Sequence, residues 1–273
     1  MAKLHNVIER VETQNINKNV PVMGNGSWQE INKNRCSRNY IQNFENHIIS
    51  LGCSCEGTCS DDDFCVCLAQ HQSYYDIHSR LEFAENHDPI YECNHCCNCD
   101  ISCSNRVVQR GSPWSFEVIN TNNKGKGLIS KNDISKGSFV IEYIGVILTE
   151  EEAKYRFQEV QKNDSPCYIF ALKEHYGSNN VKTYFIDATE KGNIARLINH
   201  SCDGNLKLVP VRTNYVEPHF SLFARRNISM NEELTFSYGT TNVNNQKDCK
   251  PCFCGSSSCT GFLPYDALVF ESI

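Results

Sequence analysis

Cysteine is the residue type best suited to chemistry in this sequence, since the chain of 273 residues contains 17 of them. Nine fall in one stretch at short spacings: Cys53, Cys55, Cys59, Cys65, Cys67, Cys93, Cys97, Cys99 and Cys103. Close Cys-x-Cys pairs suit metal thiolates in a reducing compartment better than paired disulfides. No secretory signal pattern is present in the first residues, MAKLHNVIERVETQ. We therefore interpret this stretch as a zinc site.

Nine thiolates do not divide into the groups of four that tetrahedral zinc prefers. Either one cysteine is idle or some sulfurs are shared between metals. Three zinc ions offer about twelve coordination positions, which nine sulfurs fill if three of them bridge two metals. Such a cluster carries a charge of about −3, so we expect backbone amides or nearby bases such as Arg106 and Arg110 to offset it.

A second group of cysteines lies near the end of the chain and contains Cys252, Cys254 and Cys259. Three thiolates need a fourth ligand from elsewhere, and the candidates are Cys202 and Cys249. We favour Cys202, because a ligand from the main domain would tie this segment to it. The remaining cysteines, which we interpret as free or packed thiols, are Cys36, Cys96 and Cys167.

The elements that must position these groups are mostly β-strands. Short apolar or alternating runs, separated by turn residues, indicate strands at 116–120, 138–148, 167–172, 183–188, 219–224 and 233–238. One helix is predicted at 150–162, because Thr149 and Glu152 form a capping box and the stretch lacks Gly and Pro. A short helical turn is predicted at 193–199.

Composition divides the chain into four parts: a polar lead-in at 1–50, a cysteine-rich zinc module at 51–112, a mainly β domain at 113–240, and a second zinc segment with an apolar tail at 241–273. No function is evident from the lead-in. The zinc module has few aliphatic residues, so we expect metal rather than hydrophobic burial to hold it. We expect the tail to dock on the main domain.

The charge of the chain is acidic, with a net value of −6 and a pI of about 5.9. This balance argues against a protein that binds the phosphate backbone of nucleic acid. Between Cys53 and Cys103 ten acidic residues face a single base, Arg80. That stretch is either a solvated acidic face or a surface that steers a cationic substrate. No apolar run is long enough to cross a bilayer.

Two segments of the β domain resemble the signature pair of the SET-domain lysine methyltransferases: NHSC at 199–202 and EELTFSYG at 232–239. The nine-cysteine pattern, ending in CSNRVVQRG, resembles the pre-SET module of the suppressor-of-variegation class, and CFCGSSSC resembles its post-SET module. The resemblance implies a mostly β SET fold with few short helices and a pseudoknot. It also implies that a tri-zinc pre-SET module and a single-zinc post-SET module flank this fold.

The resemblance also implies the residues of the active site. Residues matching the cofactor site are Gly125, Lys126, Gly127, Arg196, Asn199 and His200. Residues matching the catalytic centre and the lysine channel are Tyr238, Tyr168, Tyr143 and Phe236. Cys202 would complete the post-SET zinc. Phe236 occupies the position that sets product number, and its lack of a hydroxyl predicts di- or trimethylation. Departures from the family pattern, which put cofactor affinity and rate in question, are Lys126, Val146, Ser237 and Gly204.

The implied activity is methyl transfer from S-adenosylmethionine (SAM) to a lysine of histone H3. We favour lysine nine over lysine thirty-six, with a histone tail or nucleosome as substrate and a monomeric enzyme on nuclear chromatin. Because in-line transfer to a neutral amine depends mainly on alignment, no strong base is required. The alternative is a catalytically silent chromatin adaptor that binds histone tails. A DNA-binding zinc protein is disfavoured by the charge and by the lack of a finger with a recognition helix.

Overall fold

The computed structural model describes residues 13–14, 28–41, 49, 51–59, 65–69, 74–82, 90–176, 180–239 and 250–264. In these ranges the strands are β1 (Thr13–Gln14), β2 (Gln29–Glu30), β3 (Arg35–Ser37), β4 (Ile90–Tyr91), β5 (Phe116–Asn120), β6 (Lys126–Ser130), β7 (Phe139–Tyr143), β8 (Val146–Leu148), β9 (Ile169–Tyr176), β10 (Asn180–Asp187), β11 (Lys191–Gly192), β12 (Asn199–His200), β13 (Leu206–Arg212), β14 (His219–Ala224) and β15 (Thr235–Phe236). The helices are α1 (Arg38–Ile41), α2 (Val66–Ala69) and α3 (Glu150–Lys162), with 3-10 turns at Val108–Arg110 and Ile194–Leu197. The fold is therefore mostly β, as predicted.

The chain divides into two compact units. The first contains Met1–Asn46, Ile144–Arg196 and Asp266–Ile273, and the second contains His47–Tyr143 and Leu197–Tyr265. Residues 240–249 and most of the predicted tail lie outside the described residues. In the part of the chain that the structure describes, no helix is long and apolar enough to span a bilayer.

The first unit contains a five-stranded sheet in the order β1-β3-β8-β10-β9, and a parallel pair formed by β11 and β2. Its helix α3 begins as the sequence predicts: the Thr149 hydroxyl accepts a hydrogen bond from the Glu152 backbone N–H at 3.3 Å, and the Glu152 carboxylate accepts one from the Thr149 N–H at 3.0 Å. Ala153, Phe157 and Val160 recur at helical spacing and are buried. The lead-in thus contributes strands and a helical turn to a packed unit.

The second unit contains a sheet in the order β12-β15-β13-β14-β7, with β4 pairing with β13. Strands β12 and β15 carry the two signature segments and pair in parallel, with Asn199 opposite Thr235 and His200 opposite Phe236. Gly204 packs against β15, where a side chain would not fit, because a Cβ at that position would lie 2.6 Å from the Phe236 Cα. The close approach of the β15 backbone therefore gives a steric reason for glycine at position 204 in this chain.

The cysteine-rich module also rests on a hydrophobic cluster. Its side chains from the module and from the sheet are Tyr75, Leu81, Ile90, Val107, Val108, Phe139, Val209, Val211 and Phe223. We expected metal rather than hydrophobic burial to hold this module, and this expectation was wrong in leaving out the hydrophobic contribution. Apolar residues spread thinly through the sequence converge on one face of the sheet.

Several predicted boundaries were wrong. The run at 138–148 is broken between β7 and β8, the strand predicted at 167–172 begins at Ile169, and the strand predicted at 233–238 is confined to Thr235–Phe236. The turn predicted at 193–199 ends at Leu197, because Asn199 pairs with β15. Strands β1, β2, β3, β4, β6, β11, β12 and β13 were not predicted.

Candidate functional site

The nine cysteines of the first group form one cluster in the second unit. Six are buried and three are partly buried, and all nine are thiols. Their sulfurs approach closely: Cys53 Sγ and Cys59 Sγ are 3.5 Å apart, Cys59 Sγ and Cys93 Sγ 3.5 Å, and Cys67 Sγ and Cys97 Sγ 3.6 Å. Ligands of a tetrahedral zinc with 2.3 Å bonds stand about 3.8 Å apart. The donor set therefore fits zinc.

The sulfurs fall into overlapping groups of four, each within 4.8 Å: Cys53, Cys55, Cys59 and Cys65; Cys53, Cys67, Cys93 and Cys97; and Cys53, Cys59, Cys93 and Cys99. Three residues recur, namely Cys53, Cys59 and Cys93. Cys103 joins the cluster beside Cys59, whose backbone N–H donates to its sulfur at 3.3 Å. Overlap of this kind is what the sharing of sulfurs between metals requires.

Hydrogen-bond donors contact the sulfurs of the cluster, where we expected donors to offset the charge of zinc-bound thiolates. The backbone N–H groups of Cys53 and Asn94 donate to the Cys97 sulfur at 3.4 and 3.3 Å. Burial disfavours the charged Arg106 guanidinium, yet its hydrogen bond to Cys99 and the nearby thiolates raise its pKa. Arg110 instead binds the Cys103 carbonyl at 2.9 Å, so its contribution is to hold the backbone of the cluster.

The second cysteine group assembles around Cys202. The sulfurs of Cys202, Cys252, Cys254 and Cys259 all lie within 4.8 Å of one another. Cys249, the alternative fourth ligand, lies outside the described residues. Burial opposes ionisation of Cys254, but hydrogen bonds from Ser256 and from backbone amides outweigh it and lower the pKa of this thiol to about 5. The neighbouring Cys252 shows the opposite shift, since burial raises its pKa to about 12.

His200 links this cysteine group to Tyr238. The backbone N–H of Tyr238 donates to His200 Nδ1 at 3.1 Å, and His200 Nε2 lies 3.3 Å from the Cys202 sulfur. An accepting Nδ1 places the proton of the neutral ring on Nε2, which then donates to the Cys202 sulfur. Burial lowers the pKa of His200, consistent with the neutral ring.

Tyr238 is oriented by β12 and β15. Its hydroxyl donates to the Ile198 carbonyl at 2.7 Å, and its ring centroid lies 5.3 Å from that of His200 and 4.9 Å from that of Phe236. Tyr238 is 39% exposed whereas Phe236 is 2% exposed, so the tyrosine is the more accessible of the two. Tyr143, by contrast, ends β7, and β13 and β14 separate β7 from β15 in the sheet.

Glu233 is a site residue that the sequence reasoning missed. Its carboxylate accepts hydrogen bonds from Asn199 Nδ2 at 2.9 Å and from Lys124 Nζ at 2.6 Å. Asn199 Nδ2 also donates to the carbonyl of Lys126 at 3.0 Å. The one signal in the sequence was the place of Glu233 within the signature segment EELTFSYG. Its spacing from Asn199 does not predict that the two residues pair.

The glycines near Asn199 have steric reasons. A Cβ on Gly127 would lie 3.0 Å from Glu233 Oε1 and 3.1 Å from Asn199 Nδ2. Gly125 has a φ of +72°, which favours glycine. Lys126 is exposed and uses its backbone carbonyl to hold Asn199, so replacing a tryptophan of the family pattern there leaves this contact intact.

Arg196 and Tyr168 belong to the first unit. The guanidinium carbon of Arg196 lies 3.7 Å from the centroid of the Tyr168 ring, and Arg196 Nη1 donates to the Thr189 carbonyl at 3.1 Å. Within the described residues Arg196 Nε is buried and has no hydrogen-bond partner. A buried cationic donor fits an anionic group such as the carboxylate of SAM.

Comparison with known proteins gives two family matches, a Pre-SET motif over residues 11–106 and a SET domain over residues 125–239. The histone-lysine N-methyltransferase SETMAR of Bos taurus is 39% identical over 234 residues, which cover 80% of this chain and 76% of that protein. SETMAR of Homo sapiens is 39% identical over 236 residues, covering 80% of this chain but 34% of that protein, so the chain spans about a third of the human relative.

Solved structures agree with these relatives. The methyltransferase domain of human SETMAR matches with a TM-score of 0.76 and 34% identity, covering 94% of each chain. SUVH6 of Arabidopsis thaliana in complex with SAM has a TM-score of 0.72 and 26% identity, covering 93% of this chain and 53% of that one. KRYPTONITE in complex with mCHH DNA, an H3(1-15) peptide and SAH has a TM-score of 0.70 and 29% identity, covering 93% and 51%.

Proposed function

Because the chain belongs to the SET-domain family of histone-lysine N-methyltransferases, we propose that it transfers methyl groups from SAM to a lysine of histone H3. The observation that carries this proposal is the arrangement of β12 and β15, in which His200 contacts both the Cys202 sulfur and the Tyr238 backbone N–H. A catalytically silent adaptor would not need this ordered tyrosine.

The residues of the second unit are suited to align a lysine amine. SAM, when bound, supplies a methyl group on a sulfonium, and its in-line transfer depends on alignment with a neutral amine. Since the Tyr238 hydroxyl donates to the Ile198 carbonyl, its oxygen is oriented to accept a hydrogen bond from that amine. The rings of Phe236 and Tyr238 attract the cationic side chain before it loses its proton.

For the cofactor, we propose from the family resemblance that Gly125, Lys126, Gly127, Asn199 and His200 of the second unit are cofactor residues. By the same resemblance, Arg196 of the first unit is also a cofactor residue. Among the described residues, the buried and unpartnered Nε of Arg196 supports a fit to an anionic group such as the carboxylate of SAM. SUVH6 in complex with SAM and KRYPTONITE in complex with SAH support the same cofactor. Tyr168 contacts the Arg196 guanidinium within the first unit. The assignment of Tyr143 and Tyr168 to the lysine channel rests on the family resemblance alone.

We propose three zinc ions in the first cysteine group and one in the second. Cys53, Cys59 and Cys93 are the bridging sulfurs, since they recur in the groups of four. The terminal ligands are then Cys55, Cys65, Cys67, Cys97, Cys99 and Cys103, and the twelve or so positions of three tetrahedral ions are filled. The last ion is held by Cys202, Cys252, Cys254 and Cys259.

The proposed product is di- or trimethyl-lysine, and the proposed position is lysine nine of histone H3, with lysine thirty-six as the alternative. Phe236 has no hydroxyl to hold a water or amine, which leaves room for further methyl groups. A lysine-nine substrate is consistent with the H3(1-15) peptide bound by KRYPTONITE. Such a substrate places the enzyme on nuclear chromatin, where we propose that it acts as a monomer.

The test is incubation of the purified chain with radiolabelled SAM and recombinant histones or nucleosomes. We expect label on histone H3, and a loss of at least about 100-fold in Tyr238→Phe, since the oriented hydroxyl contributes to alignment. Ser237→Ala is a matched control next to Tyr238. Among the described residues, the hydrogen bonds of the Ser237 hydroxyl are to the backbone of Gly239. Binding of histone tails without transfer of label would favour the adaptor instead.

A further inference from the structure

Trp28 lies in the polar lead-in, for which the sequence suggested no function, and it is fixed in place by the first unit. The residues after it bind backbone of the segment that leads to Arg196: Gln29 N–H donates to the Glu190 carbonyl at 2.8 Å and Ile31 N–H to the Gly192 carbonyl at 2.7 Å. These bonds extend the parallel pair β2–β11. The position of Trp28 is therefore set by paired backbone.

The ring of Trp28 contacts the guanidinium of Arg196. The guanidinium carbon lies 5.1 Å from the Trp28 ring centroid and 3.7 Å from the Tyr168 ring centroid. Both distances fall within the range of about 6 Å over which a cation and an aromatic face attract each other. With the hydrogen bond to the Thr189 carbonyl, two rings and one carbonyl restrict the orientation of Arg196.

A restricted arginine has fewer rotamers to give up when it binds a ligand, so its contribution to affinity rises. Along the chain, Arg196 is followed closely by Ile198 and Asn199. The carbonyl of Ile198 accepts the hydrogen bond from the Tyr238 hydroxyl. The contact with Arg196 gives Trp28 a role.

We propose that Trp28 is a positioning residue for the cofactor, which acts by holding the Arg196 guanidinium together with Tyr168. This inference rests on the proposed function, because it takes Arg196 as a SAM ligand. It assigns the lead-in a direct influence on cofactor affinity, in addition to its strand pairing.

The test is calorimetric titration of the whole chain with S-adenosylhomocysteine. Trp28→Leu keeps an apolar side chain but loses the aromatic face, and we expect it to raise Kd roughly 3- to 10-fold. Trp28→Phe restores a face and should stay within about 2-fold of the wild type. Ser37→Ala is the matched control, since Ser37 binds Glu152 at 2.6 Å in the same lead-in and does not contact Arg196 in the described bonds. It should leave Kd unchanged.

A double-mutant cycle separates positioning from a general loss of stability. If Trp28 acts through Arg196, then Trp28→Leu should add no further loss of affinity in an Arg196→Ala background. The same loss in both backgrounds, a normal Kd for Trp28→Leu, or an equal loss in Ser37→Ala would each overturn the inference. If the wild type itself binds no S-adenosylhomocysteine, the proposed function fails, and the inference fails with it.

Discussion

Glu233 provides a sharp test of how the site is held, because it touches Asn199 and Lys124 but has no proposed contact with substrate. In Glu233→Ala, Asn199 keeps only its bond to the Lys126 carbonyl at 3.0 Å and can rotate into the space left beside Gly127. A hydrogen bond to a charged group contributes about 1.5–3 kcal/mol. The Asn199 and Glu233 pair is partly buried, so we use the lower value of about 1.5 kcal/mol, which corresponds to about a 10-fold weaker Kd.

The matched variants distinguish orientation of Asn199 from a general charge effect. Glu233→Gln keeps an acceptor for Asn199 and should weaken binding of S-adenosylhomocysteine about 3-fold. Lys124→Met removes the ion pair, whose side chains are 20% and 25% exposed, but leaves the bond to Asn199, so we expect about a 2-fold effect. Calorimetric titration measures all three. An unchanged Kd in Glu233→Ala, or an equal loss in Lys124→Met, would refute the reasoning.

Three further predictions concern the product, the second zinc and the stability of the module. Phe236→Tyr adds a hydroxyl beside Tyr238, so mass spectrometry of H3 peptides should show mainly monomethyl product; a wild type that stops at one methyl group would contradict this. Cys202→Ser removes both a ligand and the partner of His200, so metal analysis should find one zinc fewer and methyl transfer should be lost; retained activity would argue against the link. The Glu92 carboxylate accepts hydrogen bonds from the Tyr75 hydroxyl and from the backbone N–H groups of Val107 and Val108, and Glu92→Ala removes this acceptor. The free energy of unfolding should fall by about 3 kcal/mol and the melting temperature by about 10 °C. Glu92→Gln should give intermediate values.

Local signals in the sequence predicted local structure well. The capping box of Thr149 and Glu152 fixed the start of α3, because both of its hydrogen bonds lie within one turn. The spacing of the nine cysteines predicted a single cluster, and the structure brings all nine together. Which sulfurs recur between groups could not be predicted, because that depends on how Cys53, Cys59 and Cys93 meet across distant segments.

Pairing between distant segments explains most of what the sequence did not predict. Strand β13 contains Pro210, and a proline within a run argues against a strand. On one edge, β13 pairs with β15 at Leu206 and with β4 from Val211 onward. Between these two contacts, at Pro210, that edge has no strand partner among the described residues, so the missing N–H of proline is tolerated there. Asn199 likewise leaves the helical turn because Thr235 pairs with it. Neither the Glu233 contact nor the Trp28 contact has any signature in sequence spacing.

Native mass spectrometry of the purified chain tests the central claim most directly, because the account requires metal-bound thiolates to hold Tyr238 in place. We predict the mass of the reduced polypeptide plus about four zinc ions. A polypeptide without zinc, or one whose cysteines are oxidised in pairs, would contradict the account.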